Sequence, residues 1–220
     1  MLLLEHRESV VRACRDLVGT GLVRGTSGNV SVRDRDTGLV AITPSGTAYA
    51  SMTPHDVVVV TLDGEVVEGL LEPTTEAGMH LAIYRARPEV YAVVHTHSPF
   101  ATTFAALREP LPATHYILAR AAAVVRVTPY ERYGTPEIAA ACVATLGTDC
   151  GVLLANHGVV AVGPQLDSAM AVAEAIEYTA EITWRARAIG TPVVLDDAQM
   201  AAVAGAFSTY GRATRRPTDQ

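Results

Sequence analysis

The segment AVVHTHSPFATTFAAL, residues 92–107, carries His95 and His97 two positions apart at the end of a β-branched run. In a strand, residues i and i+2 share a face, so both imidazoles aim at one point. Imidazole is the commonest neutral metal ligand, and two such nitrogens on one strand end are a preorganised half-site. The pair alone also fits a polar strand end. A second stretch, LLANHGVV, places His157 in an Asn-His-Gly turn, where glycine permits a sharp reversal. That too could be an ordinary turn residue, but three imidazoles with an open position form the donor set of a catalytic zinc, and their joint presence favours the metal. Glu76 falls in the first turn of an expected helix, where the dipole favours an acid whatever its role. His80 follows one turn on. With His6, His55 and His115 it is read as structural or as a group supporting the ligands.

Three clusters rich in hydroxyls and glycine, GTSGN (25–29), TPSG (43–46) and PTTE (73–76), suggest a phosphate pocket beside that metal. The chain contains no lysine; every one of its 17 cationic side chains is Arg. That excludes a lysine Schiff base and a Walker-type phosphate lysine. Electrophilic chemistry must then come from a metal or another cofactor. An anion at these clusters would be held by backbone N–H groups, hydroxyls and helix N-termini. The net charge of −6 argues against a nucleic-acid partner. No apolar run reaches eighteen residues and the N-terminus lacks a signal-peptide layout, so a cytoplasmic protein without membrane contact is expected. Cys14, Cys142 and Cys150 show no CxxC spacing and fit free thiols in a reducing compartment.

The elements that must position these groups follow from periodicity. Helical spacing is read over residues 2–18. GNVSVRD and GLVAITP read as strands joined by RDRDTG, and DVVVVTLDGEVVEG as a hairpin around Asp63-Gly64. PTTEAGMHLAIYRARP reads as a helix with Thr74 or Thr75 as N-cap and Pro88 as its stop. VYAVVH, AAAVVRVTPY and CGVLLANHGVVAVG read as strands, the last broken at Asn156-His157-Gly158. SPFATTFAAL, residues 166–188 and residues 197–208 read as helices. The expected fold is a single α/β domain over 1–212, with a mixed, mainly antiparallel central sheet flanked by helices in three layers. A flexible basic and polar tail is expected at 213–220.

Taken in order, GLVRGTSGNVSVR, ITPSG, EGLLEPTTE, HLAIYRARPEVYAVVHTHS, LPATHYILA, TPYERYGT, NHGVVAVG and FSTYG resemble the class II aldolase/adducin family, closest to its L-fuculose-1-phosphate aldolase branch. The resemblance covers roughly residues 10–212. It implies zinc, one per subunit, on His95, His97, His157 and Glu76; Mn2+, Co2+ or Fe2+ also suit such a donor set. It implies Glu76 as the catalytic base, Tyr116 as proton donor to the aldehyde oxygen, and Tyr210 as a C-terminal tyrosine closing over the site. It implies a phosphate pocket of Thr26, Asn29, Ser45, Gly46, Thr74 and Thr75, and an aldehyde pocket walled by Tyr133. Tyr133 stands where that branch carries Phe, which leaves the aldehyde open. The implied substrate is a small phosphorylated sugar, cleaved to dihydroxyacetone phosphate and an aldehyde such as L-lactaldehyde. The implied assembly is a homotetramer with active sites at subunit interfaces. Pentulose-phosphate epimerases, sugar-acid phosphate decarboxylases and methylthioribulose-phosphate dehydratases share the fold, as does the non-catalytic adducin head. The epimerases carry Asp where this chain has Glu76 and space the third histidine farther from the pair.

Overall fold

β-Branched runs too short for helices form the strands, and most read as continuous apolar stretches because both faces of the sheet are covered. The computed structural model describes residues 1–207; Tyr210 and the tail at 213–220 lie outside them. Seven strands, β1 (Asn29–Arg33), β2 (Val40–Ile42), β3 (Val58–Val60), β4 (Val66–Glu68), β5 (Ala92–Thr96), β6 (Gly151–Leu154) and β7 (Gly158–Gly163), build one sheet in the order β4-β3-β2-β1-β5-β7-β6. Every ladder is antiparallel. Among the described residues, parallel pairing is confined to a single bridge, Val127 to Leu153.

That bridge is what remains of the strand expected over residues 121–130. Thr128 N–H donates to the Leu153 carbonyl at 2.9 Å, and Leu153 N–H to that of Arg126 at 2.8 Å. The next residue is Pro129, which has no N–H to extend a ladder. The segment therefore runs along β6 only briefly, shielding an edge that would otherwise invite pairing.

Helices α1 (Leu4–Gly19), α3 (Pro99–Leu107) and α5 (Leu166–Ile189) cover one face, packing on Val30, Ala41, Ala92, Val94, Val159 and Ala161. Helices α2 (Ala77–Ala86) and α4 (Pro136–Leu146) cover the other, packing on Val40, Ile42, Val93, Val160 and Val162. A 3₁₀ turn (Tyr116–Arg120) and α6 (Asp197–Phe207) complete the described chain. The period of two along β1 sends Val30 to the α1 side, and Asn29, Ser31 and Arg33 to the α2 side. Arg33 holds the end of α2 there, donating to the carbonyls of Val90 at 2.8 Å and Tyr84 at 3.2 Å.

Helix α2 starts later than its hydroxyls suggested. Glu76, and neither threonine, occupies the cap position, with no side-chain cap bond of its own. Thr74 instead folds a turn ahead of the helix: its Oγ1 accepts from Glu76 N–H at 3.3 Å and its carbonyl from Ala77 N–H at 3.0 Å.

The chain enters β1 through Gly28, whose φ of +76° lies in the left-handed region. A Cβ there would sit 2.6 Å from the His95 carbonyl oxygen. Gly28→Ala therefore combines backbone strain with overpacking against a strand that cannot retreat. It should cost about 2–4 kcal/mol and lower the melting temperature by about 5–10 °C, measured by calorimetry.

Candidate metal centre and its cavity

His95 is the penultimate residue of β5, and the chain carries His97 onward on the same side before Ser98-Pro99 opens α3. Glu177 on α5 accepts from the N–H groups of Phe100 and Ala101 at 2.9 and 2.8 Å, so the first turn of α3, just past His97, is pinned to a second helix. His157 comes from the β6–β7 turn, where Asn156 adopts a left-handed φ of 55°. Asn156 N–H donates to the Ala105 carbonyl at 2.9 Å and its Oδ1 accepts from Arg108 Nε at 3.0 Å, fixing the turn to the end of α3. Gly158 permits this approach, because a Cβ at that position would land on the Thr96 carbonyl oxygen and against the rings of His95 and His97.

The three imidazoles and Glu76 converge so that one ligand atom from each lies within 4.8 Å of the others. The ring centroids stand 4.8–4.9 Å apart, edge to face. His95 Nε2 is 3.2 Å from Glu76 Oε2, and His157 Nε2 is 3.5 Å from Glu76 Oε1. His95 Nδ1 lies 2.8 Å from the Val159 carbonyl, which fixes the proton on Nδ1 and leaves Nε2 as a donor atom for a metal. Glu76 Oε1 is buried without a hydrogen-bond partner. A divalent cation fits this group on both counts: the donor set, and a buried carboxylate oxygen that needs one.

Burial and mutual proximity set the charges of these groups. Burial alone would push the Glu76 carboxyl up, but His95, and after it His157 and Asn29, outweigh burial and hold it well below the usual carboxylate range. Burial likewise works against a charge on His95, yet the adjacent Glu76 carboxylate holds its pKa above the ordinary imidazole value. Burial, then the neighbouring histidines, pushes His97 and His157 down to about 4. Two of the three rings are thus neutral at physiological pH, as ligation requires.

A cavity of about 310 Å³ opens onto these groups, lined by Thr26, Asn29, Ser45, Gly46, Thr74, Thr75, Glu76, His97, Tyr133 and His157. All three hydroxyl-rich clusters reach it. Thr74 N–H donates to the Thr43 carbonyl and Ser45 N–H to that of Glu72, laying the 72–76 segment beside the extension of β2. The larger cleft between α1 and α5, about 510 Å³, contains none of the four converging residues. Tyr116 is not brought to the cavity of its own chain. It lies half exposed on the 3₁₀ turn, its ring 4.6 Å from that of His115. Tyr133 lines the cavity and is 64% exposed.

Three groups escaped the reading of the sequence. Glu177 gives no local signal for capping a helix 76 residues away. Ser31 and Tyr84, packed behind Glu76 with His80, do leave one: polar residues alternate on β1 where only apolar ones are expected, and α2 carries His80 and Tyr84 four apart.

Ala substitution of His97 or His157 should reduce bound divalent metal from about one per chain to less than about a tenth, measured by elemental analysis after dialysis. Gly158→Ala, which removes no ligand, should weaken metal retention as well by displacing His157.

Comparisons with known proteins bear on the fold and the family. The family model described as Class II Aldolase and Adducin N-terminal domain matches residues 8–184. The 5-deoxy-D-ribulose 1-phosphate aldolase of Bacillus thuringiensis serovar kurstaki is 44% identical over 96% of this chain and 100% of its own. The 5-methylthioribulose-1-phosphate/5-deoxyribulose-1-phosphate aldolase of Rhodospirillum rubrum is 39% identical over 96% of this chain and 95% of its own. A solved L-fuculose 1-phosphate aldolase superposes with a TM-score of 0.90 at 42% identity, over 93% of this chain and 96% of that one. The chain belongs to the class II aldolase and adducin N-terminal domain family.

Proposed function

We propose that the chain is a zinc-dependent lyase that cleaves a deoxyketose 1-phosphate between C3 and C4 into dihydroxyacetone phosphate and a small aldehyde. The observation that carries this reading is the shared cavity: metal-donor side chains form one wall, and hydroxyls with glycine backbone form another. Zinc held by His95, His97, His157 and Glu76 would supply the Lewis acidity that stabilises an enediolate, a task no lysine in this chain performs. Thr26, Ser45, Gly46, Thr74 and Thr75 hold the phosphate, so that binding remote from the reacting bond orients C3. Asn29, expected among them, lines the same cavity but donates its amide hydrogens to Glu76 and Thr74, and is not assigned to the phosphate. In the condensation direction Glu76 takes the C3 proton of dihydroxyacetone phosphate. Cleavage reverses this, and Glu76 returns the proton to C3.

In condensation Tyr116 donates a proton to the aldehyde oxygen; in cleavage it takes that proton back from the C4 hydroxyl as the C3–C4 bond breaks. Its place outside its own chain's cavity supports a homotetramer in which it enters a neighbouring subunit's site. Tyr210, outside the described residues, is proposed to close over the same aldehyde end, with Tyr133 as a wall. A cytoplasmic location is proposed; no described helix is long and apolar enough to cross a membrane.

The relatives named for 5-deoxyribulose 1-phosphate and L-fuculose 1-phosphate act on ketose phosphates that share their first three carbons. Cleavage of either would release dihydroxyacetone phosphate, with acetaldehyde from the first and lactaldehyde from the second. Both substrates belong in one assay, coupled to detection of dihydroxyacetone phosphate. Release should vanish with EDTA and return with zinc. Glu76→Gln should lower kcat about 10²–10⁴-fold while shifting KM by no more than a few-fold. Bound metal without release from either substrate would exclude the aldolase reading.

A further inference from the structure

Behind Glu76 runs a buried polar chain to which the proposed reaction assigns no part. Asn29 Nδ2 donates to Glu76 Oε2 at 2.8 Å and to Thr74 Oγ1 at 3.2 Å. On the far side of the same amide, Asn29 Oδ1 is 2.5 Å from His80 Nε2. His80 Nδ1 is 2.7 Å from Ser31 Oγ, itself 2.8 Å from the Tyr84 hydroxyl. His80, Ser31 and Tyr84 are buried to 1% exposure or less.

A side-chain amide can turn over with no change of shape, and only one orientation puts a donor against a carboxylate. Turned the other way, Asn29 Oδ1 would face Glu76 Oε2, oxygen to oxygen. Whichever group holds Oδ1 therefore sets the carboxylate. His80 can donate to it from Nε2 only if Nδ1 is the acceptor, and the Ser31 hydroxyl supplies the proton there. One tautomer satisfies the whole chain. Both Asn29 amide protons are then engaged, and Glu76 Oε1 is left for the histidines' side of the site.

We infer that His80 is a positioning residue of the metal centre, orienting Glu76 through the Asn29 amide. This rests on the metal reading given above, though not on the identity of the reaction. Two measurements test it on the full-length, zinc-loaded protein. Long-range proton–nitrogen correlation on histidine-labelled wild type should show His80 protonated at Nε2 and bare at Nδ1. The reverse tautomer would overturn the inference without any variant. In chelator competition, His80→Phe should raise the zinc Kd about 10–100-fold. His80→Gln, whose amide N–H reaches the same oxygen, should stay within about threefold of wild type. A purely structural His80 would lower the melting temperature of both variants and leave the Kd of His80→Phe unchanged, which contradicts the inference. Should His80→Phe fail to fold, a Kd loss of tenfold or more in His80→Gln would contradict it equally. A wild type that binds no zinc would remove the metal reading and this inference together. The expected pattern in a protein that releases no dihydroxyacetone phosphate would sustain it and remove only the aldolase reading.

Discussion

One carboxylate and three imidazoles, with a ligand atom of each within 4.8 Å of the others, sit at the buried end of a sheet, and the surrounding structure answers that demand. Burial disfavours each charge, and an uncompensated buried charge costs several kcal/mol. The site meets this with a single anion, Glu76, held ionised by its neighbours, while two imidazoles stay neutral. Strand register is decisive here. Asn29 stands directly opposite His95 across the β1–β5 ladder, and His95 opposite Val160 on β7. A slip of one residue in β1 would put Val30 where Asn29 meets Glu76 and turn Ser31 away from His80.

The remaining ligands come from segments that are not strands, and each is tied down from elsewhere. The start of α3, just past His97, is held by Glu177 on α5, and the turn bearing His157 by the end of α3. Glu76 occupies the cap of α2, where the helix dipole favours its charge and the Thr74 turn fixes its backbone. The same Thr74 and the Ser45 segment beside it face the cavity, so one set of backbone contacts joins the hydroxyl-lined wall to the wall bearing Glu76, His97 and His157.

Much of this was legible before any coordinates. The HTH pair at a strand end and the NHG turn carry their geometry in their spacing, because a period of two and a glycine reversal are local properties. The hydroxyl clusters are legible as a set, because each combines hydroxyls with a glycine or a helix start, and all three line one cavity. What escaped depends on distant partners. The hydroxyls predict the cap of α2 one or two residues too early, because Thr74 uses its hydroxyl on a turn that precedes the helix. The segment around Val125 has strand composition but only a short length of β6 edge to pair with. Tyr116 could be singled out by resemblance, but only the fold places it away from its own chain's cavity. The Asn29–His80–Ser31–Tyr84 chain needs the β1 and α2 faces to be known together.

The most direct test is a crystal structure of the protein with dihydroxyacetone phosphate, with anomalous data collected on both sides of the zinc edge. One edge-dependent peak is expected per chain, about 2.0–2.1 Å from a nitrogen of each of His95, His97 and His157. The phosphate should lie against Ser45, Gly46 and Thr75. A cavity that binds the phosphate with no metal at the three histidines, or a metal elsewhere in the chain, would contradict a metal-centred site built on Glu76.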